Sequence, residues 1–289
     1  MPVTNFPPDL LIIANTSAAQ TNRPRFYSRL TTNGDVYLTS SGTIAETSET
    51  TLDNPRFTDN VSYATTAGGR ASGTYVGYAL KRAPGFMDVV CYTGNAAVRA
   101  IPHNLAAVPE LVIVKNRNAS GVGNWIVWHT FFGVNGYMVF YNSSLNTYAN
   151  YFPTLPTATN LNVGNGGDYG GVNAAATDYV AYMFATLAGI SKVGSYTGNG
   201  SSQTINCGFA AGARFILIRQ TNAAGDWYVW DTTRGITAAN DPHLSLNSTA
   251  AHVTTDDSID PDSTGFIVNQ VAATNINVTS ATYIYLAIS

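Results

Sequence analysis

The chain has 289 residues, 45% of them hydrophobic but only 11% charged, and its net charge is −3. That length allows two or three domains with cores of their own, and a charged share well under the usual one, about 25%, leaves the surface to Asn, Thr, Ser and Gly. The lack of any Lys/Arg block excludes a phosphate-clasping nucleic-acid binder, and apolar runs no longer than "DLLIIA" and "RFILI" exclude a helical membrane span.

In chain order, "MPVTNFPP" has no basic segment followed by an apolar one, so no signal peptide is expected, and its prolines predict an extended arm. Strand-like segments follow: "PDLLIIAN" from Pro8, "PRFYSRL" from Pro24, "GDVYLTSS", and "TYVGYALK" from Thr74. Then comes "MDVVCYTGN" at 87–95, "PELVIVKN" from Pro109, "NWIVWHT" from Asn124, "GYMVFYNSS", and "DYVAYMFA" from Asp178. The last stretch runs "SKVGSYTGN" from Ser191, "ARFILIRQ" from Ala213, "DWYVWDT" from Asp226, "PHLSLNST", and "TYIYLAIS" from Thr282.

These segments repeat. Thr74, Asp178 and Thr282 open similar strands 104 residues apart, Asp88 and Lys192 are also 104 apart, and Pro8, Pro109 and Ala213 step by 101 and then 104. Val, Ile, Tyr, Phe and Trp alternate with Gly, Asn, Pro and Ser clusters at sandwich or barrel spacing, and no window keeps a helical period. A period of 104 residues is too long for a propeller blade or a solenoid rung. The expected fold is therefore all-β: three tandem β-sandwich, jelly-roll-like repeats over 1–84, 85–190 and 191–289. The first repeat lacks the Y-T-G-N strand; it lost that strand or receives it from another chain or copy, and a sheet short of one strand presents an edge that invites a partner. Within "YTGN" the Gly-Asn pair is expected to supply positive-φ turn positions, and "YVAYMF" and "YIYLAI", apolar on both faces, fit central strands.

Chemistry is sparse. His103, His129, His243 and His252 have no metal-site spacing. His103 occupies the place of Cys207, each 11 residues beyond its Y-T-G-N tyrosine, and His129 the place of Asp231; such exchange argues for structural roles. Cys91 and Cys207 occupy non-equivalent places and are expected to be independent buried thiols. Asp256, Asp257, Asp260 and Asp262 do not follow an EF-hand pattern and read as a solvated loop, with a bound cation as the alternative. "NVGNGGDYGGVN" at 162–173, which carries Tyr169, lacks the Lys-Ser/Thr and following helix of a phosphate cradle and reads as a hairpin loop. The Asn-x-Ser/Thr triplets at Asn15, Asn142 and Asn277 reflect composition rather than glycosylation. No nucleophile elbow and no recurring carboxylate pair is present, so no enzyme and no cofactor is expected.

The aromatic residues remain. In "W-x-V-W", Trp125 and Trp128, like Trp227 and Trp230, stand at i and i+3 and point to opposite faces of a strand. Either both lie in two packed layers, or Trp128 and Trp230, with Tyr169, present rings to a sugar beside Asn and Asp side chains.

The segments "GFMDVVCYTGN…IPHNL…VPELVIVKNR…NWIVWHT" and "SKVGSYTGN…ARFILIRQTNAAGDWYVWDTTRG", closing on "ATYIYLAIS", resemble a domain of unknown function found repeatedly in tailed-bacteriophage virion proteins. There the pattern reads G-F-x-V-x-x-Y-T-G-N, then H-G-L, then P-x-hydrophobic-I-V-K-x-R and W-x-V-Y-H. This chain has H-N-L at His103–Leu105, N-C-G-F in the third copy, and Ala14-Asn15-Thr16 in place of K-x-R in the first. The resemblance implies a non-enzymatic virion component, assembled in the host cytoplasm. The leading expectation is a tail-associated fibre or receptor-binding protein, the alternative is a capsid decoration, and a polysaccharide depolymerase ranks below both. Expected partners are other virion proteins, a host surface glycan or protein, and further copies of the chain, for instance in a trimer; nucleic acid and membrane insertion are not expected.

Overall fold

A computed structural model describes residues 6–17, 24–31, 36–48, 56–59, 62–64, 74–118, 124–140, 144–165 and 171–289. It is all-β, and every strand pairing is antiparallel. Among the described residues the only helical turn is a single 3₁₀ turn at Thr130–Phe132.

The first large sheet contains β1 (Leu10–Asn15), β2 (Arg25–Ser28), β3 (Val36–Thr39), β4 (Thr47–Ser48) and, beyond a separate pair β5 (Arg56–Asp59) and β6 (Ser62–Ala64), β7 (Tyr75–Leu80); its order is β4-β3-β2-β1-β7. The next segment forms β8 (Met87–Thr93), β9 (Arg99–Pro102), β10 (Leu111–Asn116), β11 (Trp125–His129), β12 (Gly136–Val139), β13 (Asn146–Thr147), β14 (Asn160–Val163) and β15 (Asp178–Phe184). It makes a large sheet β13-β12-β11-β10-β15-β8 and a small one, β14-β9. The last segment forms β16 (Ser191–Thr197), β17 (Gln203–Asn206), β18 (Phe215–Gln220), β19 (Tyr228–Asp231), β20 (His243–Ser245), β21 (Ile259–Asp262), β22 (Gly265–Val268) and β23 (Thr282–Ile288). Its sheets are β16-β23-β18-β19-β20 and β17-β22-β21. As their two-sided apolar character predicts, β15 and β23 are interior strands, each paired on both sides.

Why are the inner strands apolar on both faces? Alternate side chains point to opposite sides of a sheet, and here both sides are covered. Leu10 and Ile12 of β1, Leu111 and Ile113 of β10, and Leu217 of β18 enter one core shared by all three large sheets. Their neighbours enter separate cores: Leu11 and Ile13 one, Val112 and Val114 another under β14-β9, and Ile216 and Ile218 a third under β17-β22-β21.

Each pair of large sheets is also tied directly. Between the first and second, the Trp125 indole packs on Phe26 at 4.7 Å and donates to the Thr39 carbonyl at 2.8 Å, and Arg117 pairs with Glu46 at 2.7 Å. Between the second and third, Phe140 stacks on Trp227 at 4.8 Å and the Leu145 N–H donates to the Thr221 carbonyl. Between the third and first, Tyr78 donates to Asp231 at 2.9 Å and Ser40 donates to the Leu246 carbonyl.

The Y-T-G-N segments form a clasp, and their glycines act differently from the sequence expectation. Positive φ falls one residue beyond the Gly-Asn pair, on Ala96 (55°) and Gly200 (76°). Gly94 and Gly198 are needed because a Cβ there would sit 2.0 Å from the Ala174 carbonyl oxygen and 2.2 Å from that of Val278. Tyr92 stacks on Tyr179 and donates to the Val172 carbonyl; Tyr196 stacks on Tyr283 and donates to the Ile276 carbonyl. Asn95 and Asn199 then meet the fully buried Asn173 and Asn277 amides.

Candidate binding site

The largest cavity among those described holds about 300 Å³ and lies at one end of the third large sheet. Its walls come from the end of β18 (Arg219, Gln220), the Ala223–Asp226 loop, Tyr228 on β19, the Thr274–Val278 segment and Tyr283 on β23. The 274–278 wall is fixed from below. Tyr283 donates to the Asn275 carbonyl at 2.7 Å and accepts from the Val278 N–H at 3.0 Å, while Asn277 is locked in the clasp. Asn275 itself takes a left-handed backbone (φ 50°), a conformation Asn tolerates better than most residues, and so stands exposed at the rim.

Electrostatically the cavity carries one cation and one anion. The Arg219 side chain is buried, and that burial lowers its pKa to about 10 against the opposing pull of Asp226. Asp226 accepts from Asn247 at 2.8 Å and Ser245 at 3.3 Å, which holds the carboxylate at the wall. Burial raises the Tyr228 hydroxyl to about 12, so it stays a neutral donor, and it reaches the Ala273 carbonyl at 3.4 Å. Tyr228, two amides and one charge of each sign suit a small, hydroxylated, overall neutral ligand.

The residues singled out in the sequence lie elsewhere. Trp128 and Trp230 are 2% and 0% exposed and belong to the separate cores of the second and third segments, whereas Trp125 and Trp227 belong to the shared core. Strand alternation does send the two rings of each pair to opposite faces, but both faces are covered, so the expected stacking surface at Trp128 and Trp230 is corrected to core. Tyr169 lies outside the described residues.

His103 is buried, its Nδ1 accepting from the Leu105 N–H and its Nε2 donating to the Thr157 carbonyl. Burial drops His129 to about 3, and its Nδ1 accepts from the Phe131 N–H. At the equivalent place Asp231 binds Arg234 at 2.5 Å. Cys207 is a buried free thiol, as expected, whereas Cys91 is exposed on the edge strand β8, a correction to the expectation of two buried thiols. Asn15 and Asn277 are buried, which denies a glycan access to either; Asn142 lies outside the described residues.

The acidic segment has divided contacts. Asp256 meets Ser258 and His243, Asp257 and Asp260 share the Asn269 amide, and Asp262 caps Thr264. Among the described residues no three His, Cys, Asp or Glu side chains are grouped to hold a metal ion. Each of the three cavities described carries a single carboxylate: Asp262, Asp226 and Asp231. Among the described residues no helix is long and apolar enough to cross a membrane.

Sequence reasoning missed this cavity because its walls meet only in the fold: Gln220 and Asn275 are polar loop-edge residues with no motif around them. Its one sequence signal is the aromatic near the start of each "T/D-Y" strand, here Tyr283.

The fold and site thus define an all-β protein of several antiparallel sheets with a small polar cavity at a sheet end. The chain belongs to the family described as a domain of unknown function, DUF7483, whose profile matches residues 81–289. The match begins just past β7, so it takes in the second and third large sheets and omits the first. No curated protein and no solved structure matches the chain.

Proposed function

We propose that the chain is a non-enzymatic virion protein of a tailed bacteriophage, a tail-associated fibre or adhesion component built from three fused copies of one β unit with a period of about 104 residues. The observation that carries this reading is the recurrence of strand order. β3-β2-β1-β7, β12-β11-β10-β15 and β20-β19-β18-β23 follow the same path, and all three sheets close on one shared core. Such a body presents its loops at the sheet ends, where an adhesin would engage a surface. The tyrosine-lined cavity by Asn275 supports a host glycan as the contact.

Burial of Trp128 and Trp230 favours a second reading, capsid decoration, because it removes the aromatic surface that spoke for receptor binding. The experiment that separates the two is cryo-electron microscopy of intact particles together with adsorption of particles lacking the protein. Density on the tail and a loss of adsorption are expected. Density on the shell with normal adsorption would overturn the adhesion reading in favour of decoration.

A further inference from the structure

We infer that the open edge of β7 is a receptor groove for an extended strand of the Y-T-G-N type, donated by a β unit of another chain. The inference rests on reading the three large sheets as copies of one unit, and it is independent of where the protein sits on a particle.

In the second and third large sheets the last strand is flanked on both sides. β15 lies between β10 and β8, and β23 lies between β18 and β16. In the first, β7 pairs with β1 alone among the described residues. The chain path explains the difference. After β7, residues 81–86 carry the chain across to the second sheet, where β8 borders β15; after β15, residues 185–190 carry it to the third sheet, where β16 borders β23. Each opening strand is thus contributed by the chain arriving from the sheet before, and nothing among the described residues arrives beside β7.

The gap has the chemistry of an unfilled strand position. The Thr74 carbonyl accepts from the Thr16 N–H, toward β1, so alternation turns the backbone groups of Gly77 and Ala79 to the open side. In the sister sheet the matching residues, Ala181 and Met183, pair with Val90 and Asp88 of β8. Apolar residues are also left half-covered there. The pairs Leu111–Phe184 and Leu10–Leu80 occupy matching places with Phe215–Ile288, and Leu111 and Phe184 are 2% and 3% exposed. Leu80, Phe215 and Ile288, which border the gap, are only partly buried. Together with Val76, Tyr78 and Gly77 they line a groove of about 190 Å³, below the roughly 300–1,000 Å³ of small-molecule sites.

The two resident opening strands define the guest. β8 sends Met87 and Val89, and β16 sends Val193, into the shared core at this place, and each ends in a tyrosine stacked on Tyr179 or Tyr283. Tyr75 holds the corresponding position on β7. The fitting occupant is therefore an antiparallel strand with apolar residues two apart followed by Tyr three positions on, which β-augmentation would hold through main-chain bonds.

The test uses the full chain and a synthetic peptide spanning residues 85–95 with Cys91→Ser, titrated by calorimetry and followed by amide hydrogen exchange. Saturable one-to-one binding is expected, with exchange at Gly77 and Ala79 slowed about tenfold or more. A second peptide carrying Val90→Pro, which removes the N–H that would face Gly77, is expected to bind at least about tenfold more weakly. No heat and no protection at millimolar peptide would overturn the inference, as would equal binding by the proline peptide. Neither result bears on virion location, which the particle density reads separately.

Discussion

Replacing Asn277 by alanine should destabilise the third segment by about 2–3 kcal/mol. The side chain is fully buried, and its amide donates to the Ser201 carbonyl, to the Val268 carbonyl at 3.2 Å and to Asn199 Oδ1 at 3.2 Å, while its Oδ1 accepts from the Asn199 N–H at 3.0 Å. Each net hydrogen bond contributes about 1 kcal/mol, and a buried group left unpaired costs about 1–3 kcal/mol. Val268 is fully buried and would be stranded, whereas Asn199 and Ser201 are exposed and recover water, which sets the sum at the lower half of the range. Asn173→Ala should lose a similar amount, since its amide donates to Ala97 at 2.6 Å, Gly164 at 2.8 Å and Asn95 at 3.2 Å. Urea unfolding followed by tryptophan fluorescence suits the measurement, because all four indoles are buried. A loss below about 0.5 kcal/mol, no larger than that of the exposed control Asn240→Ala, would refute the clasp as the reason for the Y-T-G-N segment.

Gly198→Ala should be worse than loss of the amide, by about 3 kcal/mol or more, because its Cβ would meet backbone at 2.2 Å; equal stability to wild type in the same urea series would refute the close approach. Trp128→Ala should cost about 3–5 kcal/mol in thermal unfolding, as a buried indole that also donates to the Gly133 carbonyl, and a surface-like loss under about 0.5 kcal/mol would refute its burial. His129 is held neutral by burial, with a native pKa of about 3 against 6.5, so between those values the unfolded chain binds the proton that the fold refuses. Stability should then fall as pH drops through that window, by about 1.4 kcal/mol per unit, and His129→Gln should flatten the fall. Lys115 is the opposite edge of the same argument: burial brings it from 10.5 to about 7, so stability should rise with pH between those values, and Lys115→Met should abolish the rise in pH-resolved urea titrations.

Much of the fold was legible because it rests on period 2. Runs such as "LVIV" and "YVAYMF" are apolar at successive positions, which suits a strand covered on both faces, and the i, i+3 spacing of the tryptophans assigns them to opposite faces of that strand. What the sequence left open was which layers exist. Nothing in "W-x-V-W" distinguishes a solvent-facing side from a second core, since an indole serves either, and that choice depends on a small sheet whose strands, β9 and β14 for Trp128 and β17, β21 and β22 for Trp230, lie outside the motif in the chain. The glycine role was hidden for a similar reason. Gly94 and Gly198 are compelled by the Ala174 and Val278 carbonyls, about 80 residues further on, whereas turn chemistry is read from adjacent residues only. The cavity beside Asn275 was equally invisible, its walls being drawn from β18, β19, β23 and two loops.

The shared core also explains why the spacing of the segments is kept while the side chains in them vary. A strand such as β10 must satisfy two cores at once, so insertion of one residue would exchange its faces and drive Ile113 and Val112 into each other's places. Size can change as long as the face does not. The inner position that is Lys115 in the second sheet is Ala14 in the first and Arg219 in the third, yet all three are buried at the same end of the strand. The two cations settle there by reaching backbone or a neighbouring carboxylate: Lys115 donates to the Ile44 and Asn116 carbonyls, and Arg219 is drawn toward Asp226. The first sheet, with Ala14, needs no such outlet. Its departure is at the other flank, where no described strand lies beside β7, and Leu80, Phe215 and Ile288 around that gap are only partly buried.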